Sequence, residues 1–319
     1  MTMAAVQTTL PARRTFGEWL RRNPITLKEM RSRMRGRRAF VVLTLNALLL
    51  GGIVALVYAS YAASANMNRS PRDLQSLGKA IFAITVGLQL LVTCFNSSAA
   101  TVGAIVAERE RQTFELLRTT LLSARALVLG KLAAALLFNL LLILSAIPIA
   151  SLSFLFGGVT FEEIFIAAVV LIVTAIGFSS IGLFFSSIAR RTAQATAAST
   201  ITTVVLVAGI PILMLILQGL LSTMVYMNSR GGSGVPSADA EITRAIILWL
   251  LISLSPLSAG VMTLSTLADS KSALTMSMPL SSGQPLVLLS PWISYSLIYL
   301  LLSILLIALS IRAVKRADK

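Results

Sequence analysis

The sequence predicts an all-α integral membrane protein with six transmembrane helices, and three observations carry the prediction. Of 319 residues, 56% are hydrophobic and only 12% charged, far from the composition of a soluble domain. Several apolar runs exceed the roughly 18 residues that cross a hydrocarbon core about 30 Å thick. Those runs are spread from residue 39 to residue 312, leaving no room for a separate soluble domain between them.

Residues 1–38 hold ten basic residues and no apolar core of signal-peptide length, so they read as a retained cytoplasmic segment. Phe16, Trp19 and Leu20, then Leu27, Met30 and Met34, stand at helical spacing among arginines and Lys28. This pattern suits amphipathic helices lying in the headgroup plane, in contact with membrane lipids. Asn23-Pro24 marks a turn between two such pieces.

The six expected spans are Ala39 to Ala62, Ile81 to Val106, Leu127 to Phe154, Ile164 to Ala189, Ala197 to Tyr226 and Trp292 to Ile311. A seventh apolar piece, Ala245 to Ala268, is interrupted by "SPLSAG" around Pro256. With six crossings and a cytoplasmic N-terminus, 21 of the 27 Lys and Arg fall on the inside, as the positive-inside tendency requires. Were the broken piece a full crossing, the basic tail would move outside. We therefore expect an outside re-entrant hairpin over 245–268, with a kinked crossing as the alternative. The organisation is then a cytoplasmic segment (1–38), one transmembrane domain (39–312) and a cytoplasmic tail (313–319). No stretch reads as a strand of alternating polarity.

The formal charge of +15 reflects orientation and attraction to anionic headgroups, not nucleic acid. One cysteine, Cys94, and no histidine exclude internal disulfides and His/Cys metal clusters. The six spans contain no Asp or Glu, which withdraws the usual mark of a proton-coupled carrier. They also offer no set of nucleophile, base and orienting group for an enzyme. A phosphate-binding loop is missing: Gly78-Lys79 and Gly130-Lys131 lack the earlier glycine and the following Ser or Thr. Each reads as a lysine snorkelling from the mouth of a span.

Charge is concentrated in "ERERQTFELLRTTLLSARALVLGK", Glu108 to Lys131, which holds eight charged residues. From Glu108 to Arg118 it reads as one helix continuing from the second span, turning at "TTLLSA". Leu116 and Leu117 lie among Glu108, Glu110, Arg111, Glu115 and Arg118, a pattern that can rest on a membrane surface and present charge to a soluble partner; an ordinary solvated loop is the bland reading. In the second span Thr85, Gln89, Thr93 and Asn96 fall on one helical stripe, and the fifth carries Thr200, Thr203 and Gln218. Such groups face a pathway or act as helix-packing glue.

The charged stretch resembles the signature of ABC-2 type transporter permeases, roughly Glu-Arg-Glu-x-Gly-Thr-x-Glu-x-Leu, then Thr-Pro, then a Gly-Lys opening the next span. Glu108, Arg109, Glu110, Thr113, Glu115, Leu116, Thr120, Gly130 and Lys131 match it, whereas Gln112 stands for the usual glycine and Leu121 for the proline. "NPITLKEMRSRMRGRRAF" is similar to the family's basic approach to the first span, and "GLFFSSIARRTAQATAAS" to its link between the fourth and fifth.

The resemblance implies a non-catalytic permease subunit of an ATP-driven exporter in a cell membrane, expected to be the bacterial cytoplasmic membrane. It would bind separate ABC ATPase subunits, which carry the ATP and Mg, and a second permease, identical or homologous. The segment bearing Glu108, Glu110, Arg111, Thr113, Glu115, Leu116 and Arg118 would be the coupling helix that holds the ATPase. An amphipathic or lipid-like substrate suits the apolar spans. The alternative is a non-transporting anchor or sensor that recruits an ATPase.

Overall fold

The computed structural model describes residues 29–31, 37–64, 71–112, 123–230, 238–270, 272–278 and 285–316. Most of the amphipathic N-terminal segment and the last three residues of the tail lie outside the described residues. The helices are α1 (Arg37–Ser64), α2 (Pro71–Val102), the short α3 (Val106–Glu110), α4 (Ala124–Phe156), α5 (Phe161–Ile188), α6 (Thr192–Val204) and α7 (Ile210–Arg230). They continue with α8 (Ala238–Leu254), α9 (Pro256–Ser270) and α10 (Pro291–Arg316).

Six of the helical stretches are long and apolar enough to cross a membrane: Ala39–Ala63, Asp73–Glu110, Ala124–Phe156, Phe161–Ile188, Thr192–Leu220 and Pro291–Arg316. The chain is an all-α integral membrane protein. α2 begins ten residues before the apolar run does, because Pro71 suits a first helical position and Asp73 complements the dipole of the first turn. Those opening turns are polar, so hydropathy does not mark them. The fifth stretch runs from α6 to α7 through a π-turn, Val205–Gly209.

Helix ends follow from named caps. Ser123 accepts from the Ala126 amide at the start of α4, and Thr160 with Glu163 forms a capping box at the start of α5. Between these two helices Gly157 and Gly158 adopt φ of +80° and +84°, a region that glycine enters without a Cβ penalty. The chain can therefore reverse in four residues.

α2 and α5 are the most buried of the candidate spans, and they pack on each other, with α4 beside α2 and α10 beside α5. The main core gathers Leu90 and Cys94 of α2, Val170 and Phe178 of α5, and Tyr295 and Tyr299 of α10. α1 and the α6–α7 stretch leave most of their surface outside the subunit.

The broken apolar piece is a helix pair, Glu241–Leu254 and Pro256–Leu267, bent by 114°. Pro256 has no amide hydrogen to continue the ladder, and the freed Leu254 carbonyl accepts from the Tyr299 hydroxyl at 2.9 Å. A bend this large parts the piece into two short helices, in keeping with a broken span as well as with a re-entrant one.

One expectation is corrected. A two-stranded antiparallel ribbon, β1 (Thr275–Met278) and β2 (Leu286–Leu289), pairs Thr275 with Leu289 and Met278 with Leu286. Four residues each are too few for alternation to register, and "LVLL" has none.

Candidate coupling junction

The regular turns of α2 stop at Val102, residues 103–105 form a turn, and α3 adds only five residues. Amides released by that turn are caught by another helix. Ser186 Oγ of α5 accepts from the Ile105 and Val106 amides at 2.9 and 3.1 Å. One turn earlier Thr101 Oγ1 donates to the Ser179 carbonyl at 2.8 Å. Opposite it, a Cβ on Gly182 would collide with Thr101 and Ser98, so glycine is what lets α2 and α5 approach so closely.

Lys131, in the second turn of α4, is 2% exposed. Its Nζ donates to the Ala104 carbonyl at 2.6 Å, to Glu108 Oε1 at 2.7 Å and to Glu29 Oε1 at 3.4 Å. The snorkelling reading of this lysine is overturned. A buried ammonium needs its donors filled and its charge matched, and two carboxylates with a carbonyl do both.

Glu110 closes the third link. It ends α3 and reaches the start of α6, where Oε1 accepts from the Thr192 amide at 2.7 Å and Oε2 from the Thr192 hydroxyl. The carboxylate thereby satisfies a free amide at a helix N-terminus and lies in the favourable field of the dipole. Ser98 and Ser199 join α2 to α6 deeper in, at 2.5 Å.

The expectation of one helix from Glu108 to Arg118 is likewise corrected, since α3 ends at Glu110. Gln112 has φ +57°, the left-handed region that breaks a right-handed helix. It is the one non-glycine residue with positive φ among those described, and it stands where the signature carries glycine. Arg111 and Gln112 are exposed. Thr113, Glu115, Leu116 and Arg118 lie outside the described residues.

The family model of the ABC-2 type transporter matches residues 25–228, which takes in the whole junction and five of the six candidate spans. The chain belongs to the ABC-2 type transporter family. A comparison with curated proteins gives no match. As an ABC-2 transporter membrane component, the chain is a multi-pass membrane protein, and α8, α9, the ribbon and α10 stand beyond the matched part.

The polar residues within the spans of this ABC-2 protein separate into two groups. Thr85, Gln89 and Thr93 are buried within the subunit, and Gln89 Nε2 donates to the Leu142 carbonyl of α4 at 3.3 Å. Asn96 Nδ2 donates to Asn139 Oδ1 at 2.6 Å, so the stripe faces α4. Thr203 is buried and bonds back to the Ser199 carbonyl, whereas Thr200 and Gln218 are exposed on the outer face of the fifth stretch. Lys131, Ser186 and Thr192 were not singled out from sequence as junction residues. The Gly-Lys pair is the only sign of the first, and the other two lie within the family-like "GLFFSSIARRTAQATAAS" with nothing that marks them individually.

Proposed function

We propose that this chain is the membrane-spanning subunit of an ATP-driven exporter, and the observation that carries the reading is the wiring of 103–110 into three helices. The end of α2 and all of α3 are bonded to α4 through Lys131, to α5 through Ser186 and to α6 through Thr192. A push on this segment from the solvent side is borne by three spans at once. Closing ATPase subunits would supply that push, with ATP and Mg held on those subunits and none in this chain. Arg111 and the following residues to Arg118 are the surface offered to them.

In this reading both termini are cytoplasmic, the 114° helix pair is a re-entrant hairpin on the outside, and the membrane is the bacterial cytoplasmic membrane. Two permease subunits, identical or homologous, enclose the pathway, which carries an amphipathic or lipid-like substrate. The exposed Thr200 and Gln218 stay candidates to face that pathway. The buried position of Thr85, Gln89 and Thr93 supports packing within one subunit.

The deciding experiment is affinity purification of the tagged chain from native membranes with an ATP hydrolysis assay. A soluble ATPase should come with it in fixed stoichiometry, and reversing the charges of Glu115 and Arg118 should uncouple hydrolysis from transport. Recovery of the chain alone and without ATPase activity, under conditions that preserve complexes, would overturn the proposal.

A further inference from the structure

A cleft apart from the junction lies between α2, α5 and α9, with an empty volume of ≈ 490 Å³ including its mouth. Gly87 and Leu90 come from α2, Ile166 and Val170 from α5, and Leu264 and Leu267 from α9. Gly87 sits in the interior of a helix, where glycine is unfavourable, and a Cβ there would meet nothing within 4 Å. Close packing therefore does not explain it. Gly260 across the cleft differs, since its Cβ would already press on Leu90 at 3.2 Å.

One charged group lines these apolar walls. Glu163 is 8% exposed. Its Oε2 accepts from the Thr160 amide at 2.8 Å, while Oε1 has no hydrogen bond among the described residues and is not fully buried, so it stays open to solvent. Lys79, exposed one turn ahead of Ala83, makes no ion pair with it. A glutamine would serve the capping box equally well, so the negative charge is not needed for the cap. An anionic oxygen open to an otherwise apolar cleft attracts an arriving cation.

We propose that this cleft binds a cationic amphiphile, with its ammonium group against Glu163 and its alkyl tail along Leu90, Val170 and Leu264. The site stands apart from the exporter reading, because binding is measured without ATP. The test is equilibrium binding of radiolabelled dodecyltrimethylammonium to the purified full chain in dodecyl maltoside, a neutral detergent of matched tail.

Wild-type protein should bind saturably. Glu163→Gln, which keeps the cap, should weaken binding about tenfold or more, the usual worth of a charge-assisted contact. Gly87→Leu should abolish it by filling the cleft, with Gly87→Ala intermediate, and unchanged thermal midpoints would show that the variants are folded. Competition by phosphatidylethanolamine would identify a membrane aminolipid as the occupant, and its failure a free amine. Binding unaltered by Glu163→Gln, or unaltered by Gly87→Leu, overturns the proposal.

Discussion

The end of α2 and its middle handle polar groups in opposite ways. Toward Val102 most polar groups have a partner on another helix: Thr101 on Ser179, the Ile105 and Val106 amides on Ser186, and Ser98 on Ser199. Farther back, the hydroxyls of Thr85 and Thr93 and Gln89 Oε1 are buried without a hydrogen-bond partner among the described residues, as is Ser97 Oγ beside the joint. The exception is sharp because the other buried threonines all have acceptors: Thr174, Thr203, Thr263 and Thr266 each donate to a carbonyl of their own helix, and Thr101 to Ser179. One helix thus carries a bonded joint and a loosely bonded seam. Directional bonds fix the position of the joint, while the seam against α4 is held mainly by packing.

Four substitutions bear on that contrast. The largest effect should come from Lys131→Met, which removes the ammonium held between Glu108 and Glu29. Removing one partner of a buried pair costs about 3–5 kcal/mol, and partial exposure of the carboxylates lowers this to about 2–3 kcal/mol. Chemical denaturation in micelles should show it, with Lys131→Arg recovering part. Ser186→Ala strands two buried amides at the turn and should cost about 2 kcal/mol by the same measurement; an unchanged midpoint would mean that the joint is not held by that hydroxyl.

Gln112→Gly should act in the other direction. Relief of the left-handed backbone is worth about 1 kcal/mol, less what glycine adds to the freedom of the unfolded chain. The smallest change is expected for Thr93→Val, within about 0.5 kcal/mol of wild type, because an apolar group of the same shape replaces a hydroxyl that makes no bond. A loss as large as that of Ser186→Ala would erase the difference between joint and seam.

Much of the architecture was legible in the sequence because hydrocarbon thickness is a blunt selector. Six apolar runs gave six helices, and "SPLSAG" marked the break at Pro256, since a missing amide hydrogen is a local fact. What could not be read were meetings between distant residues. Lys131 looks the same from sequence whether it snorkels or is buried, and only folding brings Glu29, Ala104 and Glu108 around it. The signature's glycine position did carry information: Gln112 stands there, and its φ is the one glycine would adopt freely. The stripe of Thr85, Gln89 and Thr93 was legible as a stripe. Its direction toward α4 was not, for period alone does not say which neighbour a face will meet.

Past the family match, two indoles tie the chain together: Trp249 Nε1 donates to the Leu289 carbonyl at 2.8 Å and Trp292 Nε1 to the Ala273 carbonyl at 2.7 Å. Ser253 with Ser294, and Tyr299 with Leu254, add two more cross-links. In these four bonds donor and acceptor lie on the same side of Glu241, while the Thr174 and Tyr295 hydroxyls bond across it at 2.7 Å. For anyone building chimeras between relatives, the stretch from Glu241 to Arg316 is therefore best moved as a unit with the Thr174 contact kept. A graft that takes α8 and α9 but leaves α10 behind separates the Tyr299 hydroxyl from the carbonyl that the proline break exposed.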